Sequence, residues 1–221
     1  MSDVRVLENE FIEVFENQRR SVPKAYVYGN ELRSLSKEGI KAVIDADWDK
    51  VRDIGYKIAG VWQKLGELNL PGTFQAYQDF ETAQELVEFW AVEGMFHAIL
   101  DGGTMSAVDW ESFSPDKFKM TPQAWLFGLL DAGSELSRCV SRYIIKSRLN
   151  RETRLVMRQR FLAIASELND FLEPFTEMTP AVMDAYNKYG FRQGFRSKMN
   201  QLRGAIEYQM RLVEESIERE D

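Results

Sequence analysis

Apolar residues recur at steps of three and four along almost the whole chain. Val51, Ile54, Ile58, Val61, Leu65 and Leu68 make one such stripe, and Asp47 stands where a helix cap belongs. Phe74, Tyr77, Phe80, Leu86, Trp90 and Phe96 make a second, broad enough to be buried on most sides. Thr121–Pro122 reads as cap and first residue of a third helix carrying Trp125, Leu126, Leu129, Leu130, Leu136 and Val140. A fourth runs from about Asn150 to Leu172, and the last from Pro180, or from beyond Gly190, into the acidic tail Glu214–Asp221. Residues able to end elements fall at Pro23, Pro71–Gly72, Gly102–Gly103, Pro115, Pro122, Pro174 and Pro180. No stretch alternates with period two between turn dipeptides, which argues against a sheet. The pattern predicts an all-α, single-domain antiparallel bundle over residues 1–221. It would hold six or seven helices of about 15 to 28 residues joined by short loops. No repeat or linker divides it.

Composition narrows the function classes. The 221 residues are 44% hydrophobic, enough for a substantial core. Lys and Arg number 28 against 35 Asp and Glu, a net charge of −7, so no overall basic footprint advertises nucleic-acid binding. One cysteine, Cys139, excludes a disulfide scaffold or a Cys-rich zinc site, and one histidine, His97, excludes paired-His metal sites. The first 20 residues are charged throughout and lack the apolar segment of a signal peptide. The longest apolar stretch, Phe89–Leu100, contains Glu93 and is too short to span a bilayer. A cytoplasmic protein is expected, or a nuclear one in a eukaryote, with no membrane partner.

Acidic pairs are common in such a chain, and two are set apart by context. From Thr82 to Leu100 the formal charges are Glu85, Glu88 and Glu93, and from Met120 to Ser137 they are Asp131 and Glu135, with no Lys or Arg in either run. Glu85 and Glu88 lie about 60° apart round a helix and ~4.5 Å along it; Asp131 and Glu135 lie about 40° apart and ~6 Å along. Carboxylates on apolar helices without nearby cations repel one another and resist desolvation. Protonation, an arginine from another helix such as Arg138 or Arg142, or a divalent metal must neutralise them. Four oxygen ligands favour Mg²⁺ or Mn²⁺ over zinc or copper. A ferritin-like di-iron centre requires Glu-x-x-His, and Gly94 stands three residues before His97.

These segments resemble the translin/TRAX family. Ala83-Gln84-Glu85-Leu86-Val87-Glu88 is similar to a run of TRAX-type subunits. The segment Trp125-Leu126-Phe127-Gly128, ending in Ser134-Glu135-Leu136-Ser137-Arg138, is similar to a translin segment. Phe195-Arg196, Lys198, Leu202-Arg203 and Ile206-Glu207 resemble the family's last helix, and Leu32-Arg33-Ser34-Leu35-Ser36-Lys37 with Ile40 an early one, in the same order along the chain. The resemblance implies an all-α seven-helix bundle and hollow oligomers, commonly octamers, that enclose single-stranded RNA or DNA. It further implies Mg²⁺-dependent endoribonuclease activity, with Glu85, Glu88, Asp131 and Glu135 as catalytic and metal-binding residues. The chain would act as a homo-oligomer or together with a translin-type subunit. Two departures stand out. Phe74–Gln78 carries no base where translin has an Arg/His cluster, and Asn200 replaces an aspartate of the last helix.

Arg192, Arg196 and Arg203 are spaced to share a helix face, with Lys198 and Arg211 near it, and Arg138 lies beside the acids. These are the candidate nucleic-acid contacts, against the plainer reading of a solvated helix face. Arg33, Lys37 and Lys41 form a second stripe with the same ambiguity. Trp90, Trp125 and Phe96 read as core more readily than as base-stacking platforms, His97 as a core or interface residue, and Cys139 as a small buried hydrophobe. Two rival functions remain: a binding-only oligomer whose acids are merely salt-bridged, and an all-α nucleoside-triphosphate pyrophosphohydrolase.

Overall fold

The expected helix starts are where side chains can cap them. Asp47 Oδ1 accepts from Lys50 N–H at 3.2 Å, Thr121 Oγ1 from Ala124 N–H at 3.2 Å, and Asn150 Oδ1 from Thr153 N–H at 2.8 Å. The computed structural model describes residues 2–68, 70, 72–118, 120–177 and 194–218. They form α1 (Ser2–Ile44), α2 (Trp48–Gly66), α3 (Gly72–Asp101), the one-turn α4 (Pro115–Phe118), α5 (Pro122–Lys146), α6 (Arg151–Thr176) and α7 (Phe195–Glu218), with two short 3₁₀ turns before α4 and no strand among the described residues. None of these helices is long and apolar enough to cross a membrane.

Two prolines do not end helices as expected. Pro23 lies inside α1, which runs for 43 residues, and Pro174 lies in the last turns of α6. Each removes one backbone bond, and Arg19 and Asp170, whose carbonyls lose it, sit on exposed positions where water can replace the donor. The length range expected is therefore exceeded by α1 and α3 and undershot by α4. Pro180 and the start assigned to the last helix there lie outside the described residues.

Sequence neighbours pair antiparallel. Lys50 on α2 reaches Glu38 on α1, Gly55 and Trp48 on α2 face Trp90 and His97 on α3, and Arg151 at the start of α6 donates to Ser216 near the end of α7. Between α3 and α5, however, the connection is not a short loop. Residues 102–121 travel back along the bundle, pinned by Trp125 Nε1 to Phe113 O (3.1 Å) and Trp62 Nε1 to Phe118 O (3.0 Å), with Val108 and Phe113 buried. As a result α5 runs in the same direction as α3: Val87 meets Gly128, and further on Phe96 meets Tyr143 edge-on at 5.4 Å.

The core is built mainly on α3 and α5, which pack on each other and are covered by α1, α6 and α7. Leu86, Val87, Phe89, Val92, Met95, Phe96 and Ile99 of α3 are fully buried, as are Leu130, Leu136 and Val140 of α5. Among the residues whose burial is described, most apolar positions of both helices are covered within the chain, with Ile145 of α5 an exposed exception. Uncovered apolar side chains include Phe11 and Phe15 of α1, 60% and 66% exposed, along with Tyr56 of α2 and Ile145 of α5.

Candidate functional site

Close helix contact sets the site. A Cβ on Gly128 would stand 2.6 Å from Val87 Cβ and 2.9 Å from Gln84 O, so only glycine lets α5 lie this near α3. One turn further, a Cβ on Gly133 would meet Leu202 of α7 at 2.7 Å and Leu168 of α6 at 3.0 Å. The parallel course of α3 and α5 then places Glu85 and Glu88 at the level of Asp131 and Glu135.

The four acids sense one another. Burial pushes the Glu88 carboxyl up to about 8, helped by the charges of Asp131, Glu85 and Glu135. Burial likewise raises Glu85, Asp131 and Glu135, each only partly offset by cations: Lys37 and Arg33 from α1 for Glu85, Lys198 for Asp131, and Arg138 and Arg142 for Glu135. Among the described residues no cation forms an ion pair with Glu85 or Glu88.

The other two acids do have partners. Lys198, expected to meet nucleic acid, points inward from α7. Its Nζ donates to Asp131 Oδ2 and to Gln84 Oε1 (3.2 Å), lies 5.7 Å from the centre of the Phe127 ring, and is 15% exposed. Arg138 holds Glu135 in an i,i+3 pair with its guanidinium facing solvent. The remaining basic candidates do not join this cluster. Arg203 binds Glu173 and Asn169 of α6, and Arg196 donates to Thr176 O, both at 3.3 Å where the contact is to Asn169 or Thr176. Arg192 lies outside the described residues.

The donor set suits a hard cation in its chemistry: four carboxyls, all reluctant to ionise. As placed, no three His, Cys, Asp or Glu side chains among the described residues gather closely enough to hold an ion. The Lys198 ammonium and the Arg138 guanidinium lie against Asp131 and Glu135, so a divalent ion would have to take their place. Arg33, Lys37 and Gln84 are the members of this site that sequence reasoning did not place. The i,i+4 spacing of the first two was visible, but not which helix they face.

The other singled-out residues fall as follows. Phe96 and Cys139 are fully buried, with the thiol raised above its usual range by burial, while Trp90 and Trp125 are half-buried. His97 is not a core residue: it lies on the exposed side of α3, with Nδ1 3.0 Å from Asp101 and its ring edge-on to Trp48.

Three solved structures share this architecture over nearly their whole length. The crystal structure of AfC3PO, from Archaeoglobus, superposes with a TM-score of 0.72 at 20% identity, covering 96% of this chain and 98% of that one. The chain has the all-α translin fold. A second AfC3PO structure, a complex with duplex RNA, gives a TM-score of 0.63 at 20% identity over 96% of each chain. Apo-NeC3PO gives 0.58 at 17% identity over 98% of each. C3PO is the translin/TRAX complex, so the translin fold implied by the motifs is the one observed. No family model and no curated protein matches the sequence.

Proposed function

We propose that the chain binds RNA or single-stranded DNA and cleaves RNA by metal-dependent phosphodiester hydrolysis at the α3–α5 carboxylates. The observation that carries this reading is Glu88. Its carboxyl, largely withdrawn from water beside three other acids, has no ion-paired cation among the described residues, an arrangement that destabilises an inert scaffold and suits a metal site. The duplex RNA bound by AfC3PO, a protein of the same fold, supports nucleic acid as the ligand.

Glu85, Glu88, Asp131 and Glu135 would hold Mg²⁺ or Mn²⁺. Such an ion lowers the pKa of bound water and offsets charge on the phosphate. Beside such an ion the Glu88 carboxyl would be ionised, and as a carboxylate it would accept a proton from the attacking water and pass it to the departing ribose oxygen. Attack forms the new O–P bond, and the P–O bond to that ribose breaks. Lys198, released from Asp131, would present its ammonium to the phosphate, and Arg138 would do so from the rim. Oligomerisation with further copies, or with a translin-type subunit, would enclose the strand. The apolar residues at the start of α1 offer surface for it.

The test is cleavage of end-labelled single-stranded and duplex RNA, with dNTPs as a parallel substrate. Mg²⁺-dependent strand cleavage that is lost in Glu88→Gln and Asp131→Asn, with oligonucleotide binding retained, is expected. Binding without cleavage in the wild type would favour the binding-only reading, for which the Lys198–Asp131 and Arg138–Glu135 pairs speak. Phosphate release from dNTPs alone would favour a pyrophosphohydrolase.

A further inference from the structure

A second polar site lies away from the carboxylates, where the first turns of α6 meet the last turns of α7. A cavity of about 330 Å³ there is lined by Arg151, Arg154, Arg158, Leu212, Glu215 and Ser216. The three arginines are spaced i, i+3, i+7 and so share one face of α6. Among the described lining residues they put three positive charges against one carboxylate, that of Glu215, on a chain whose net charge is −7.

Two of the three guanidinium groups are held from behind. Arg151 Nη2 donates to Ser216 O at the end of α7. Arg158 Nη1 donates to Gln209 Oε1, and the fully buried Gln209 amide donates to Ser137 Oγ and Ser141 Oγ, each at 2.9 Å. This polar clamp ties α5, α6 and α7 together and fixes where Arg158 stands. The Arg154 side chain, in contrast, makes no hydrogen bond or ion pair among the described residues. Burial works against the charge of the half-buried Arg158; Tyr208 favours that charge, and neighbouring Arg154 opposes it. Arginines crowded this way around a cavity, with donors directed and one left unused, match a tetrahedral oxyanion that accepts several N–H bonds at once.

We infer that this cavity is a phosphate site, taking either free inorganic phosphate or the terminal phosphate of an oligonucleotide strand. Arg154 supplies the unencumbered donors, and Arg151 and Arg158 the fixed ones. Glu215 opposite limits the site to an ion that can outcompete it, which a dianion does better than chloride. The inference does not rest on the carboxylate cluster or on cleavage.

The experiment is calorimetric titration of inorganic phosphate into the full chain in EDTA, with chloride at matched ionic strength as reference. Saturable binding of one phosphate per chain is expected. Arg154→Gln should weaken it at least about tenfold, the loss of one charge-assisted contact. Its melting temperature without phosphate should not change, because the side chain has no hydrogen-bond or ion-pair partner to lose among the described residues. Glu88→Gln should bind phosphate as the wild type does, so failure of the nuclease reading leaves this result intact. DNA oligonucleotides with a 5′-phosphate or a 5′-hydroxyl separate the two sources. A preference for the phosphorylated end that Arg154→Gln abolishes assigns the strand terminus, and equal binding of both ends assigns the free ion. No saturable phosphate binding above the chloride reference, or equal binding by Arg154→Gln, would overturn the inference.

Discussion

At the scale of single residues, Glu88 concentrates the conflict in this protein. Its carboxyl is raised to about 8 when folded, against 4.5 for an ordinary glutamate. Between those values the folded chain keeps a proton that the unfolded chain has lost, so stability falls as pH rises through this window and is fully present below it. In EDTA the loss should be on the order of a few kcal/mol by about pH 8. Glu88→Gln should flatten that slope, as denaturant melts across the window would show. A wild-type slope unchanged by the substitution would mean that Glu88 is not the strained group. Cleavage should fall by about a hundredfold or more in the same variant. Lys198 carries the opposite role, since its ammonium lies on Asp131 where a metal would act. Lys198→Met should therefore destabilise the metal-free chain and tighten Mn²⁺ binding, which calorimetry reads directly. Weaker Mn²⁺ binding would place Lys198 outside this competition.

At the scale of helices, the contact of α3 with α5 makes the site. Gly128→Ala would drive a methyl group into Val87 and should cost about 1–3 kcal/mol, with cleavage lost alongside stability. Thermal melts and the RNA assay on one preparation test both parts. Much of this level was legible in the chain: Asp47, Thr121 and Asn150 announced their helices, and the two acid pairs stood out because no cation shares their segments. What could not be read was the direction of α5. Residues 102–121 look like a loop, and nothing local in them says that they travel the length of the bundle and bring α5 parallel to α3. The same limit hid the partners of the acids. Lys198 and Arg33 read as members of exposed stripes, and only the packing of α7 and α1 turns them toward α5 and α3. Pro23 was misleading for a different reason: an exposed helix tolerates one missing backbone bond where a buried one does not.

At the scale of the whole molecule, most apolar residues of α3 and α5 whose burial is described are covered inside one chain, and α1 is one of the helices that keep exposed apolar side chains. Phe11 and Phe15, four apart, occupy one face of that helix. Replacing both by Ser should lower the mass seen by light scattering without lowering the melting temperature, if these residues join subunits. An unchanged mass would move the contact elsewhere. The central claim concerns the meeting of two acid pairs more than 40 positions apart in sequence. A double-mutant cycle on Mn²⁺ affinity with Glu88→Gln and Asp131→Asn tests it most directly. The account predicts one strong site in the wild type, lost nearly as fully in either single variant as in the double. Additive losses from two independent weak sites, or no Mn²⁺ binding in the wild type, would contradict it.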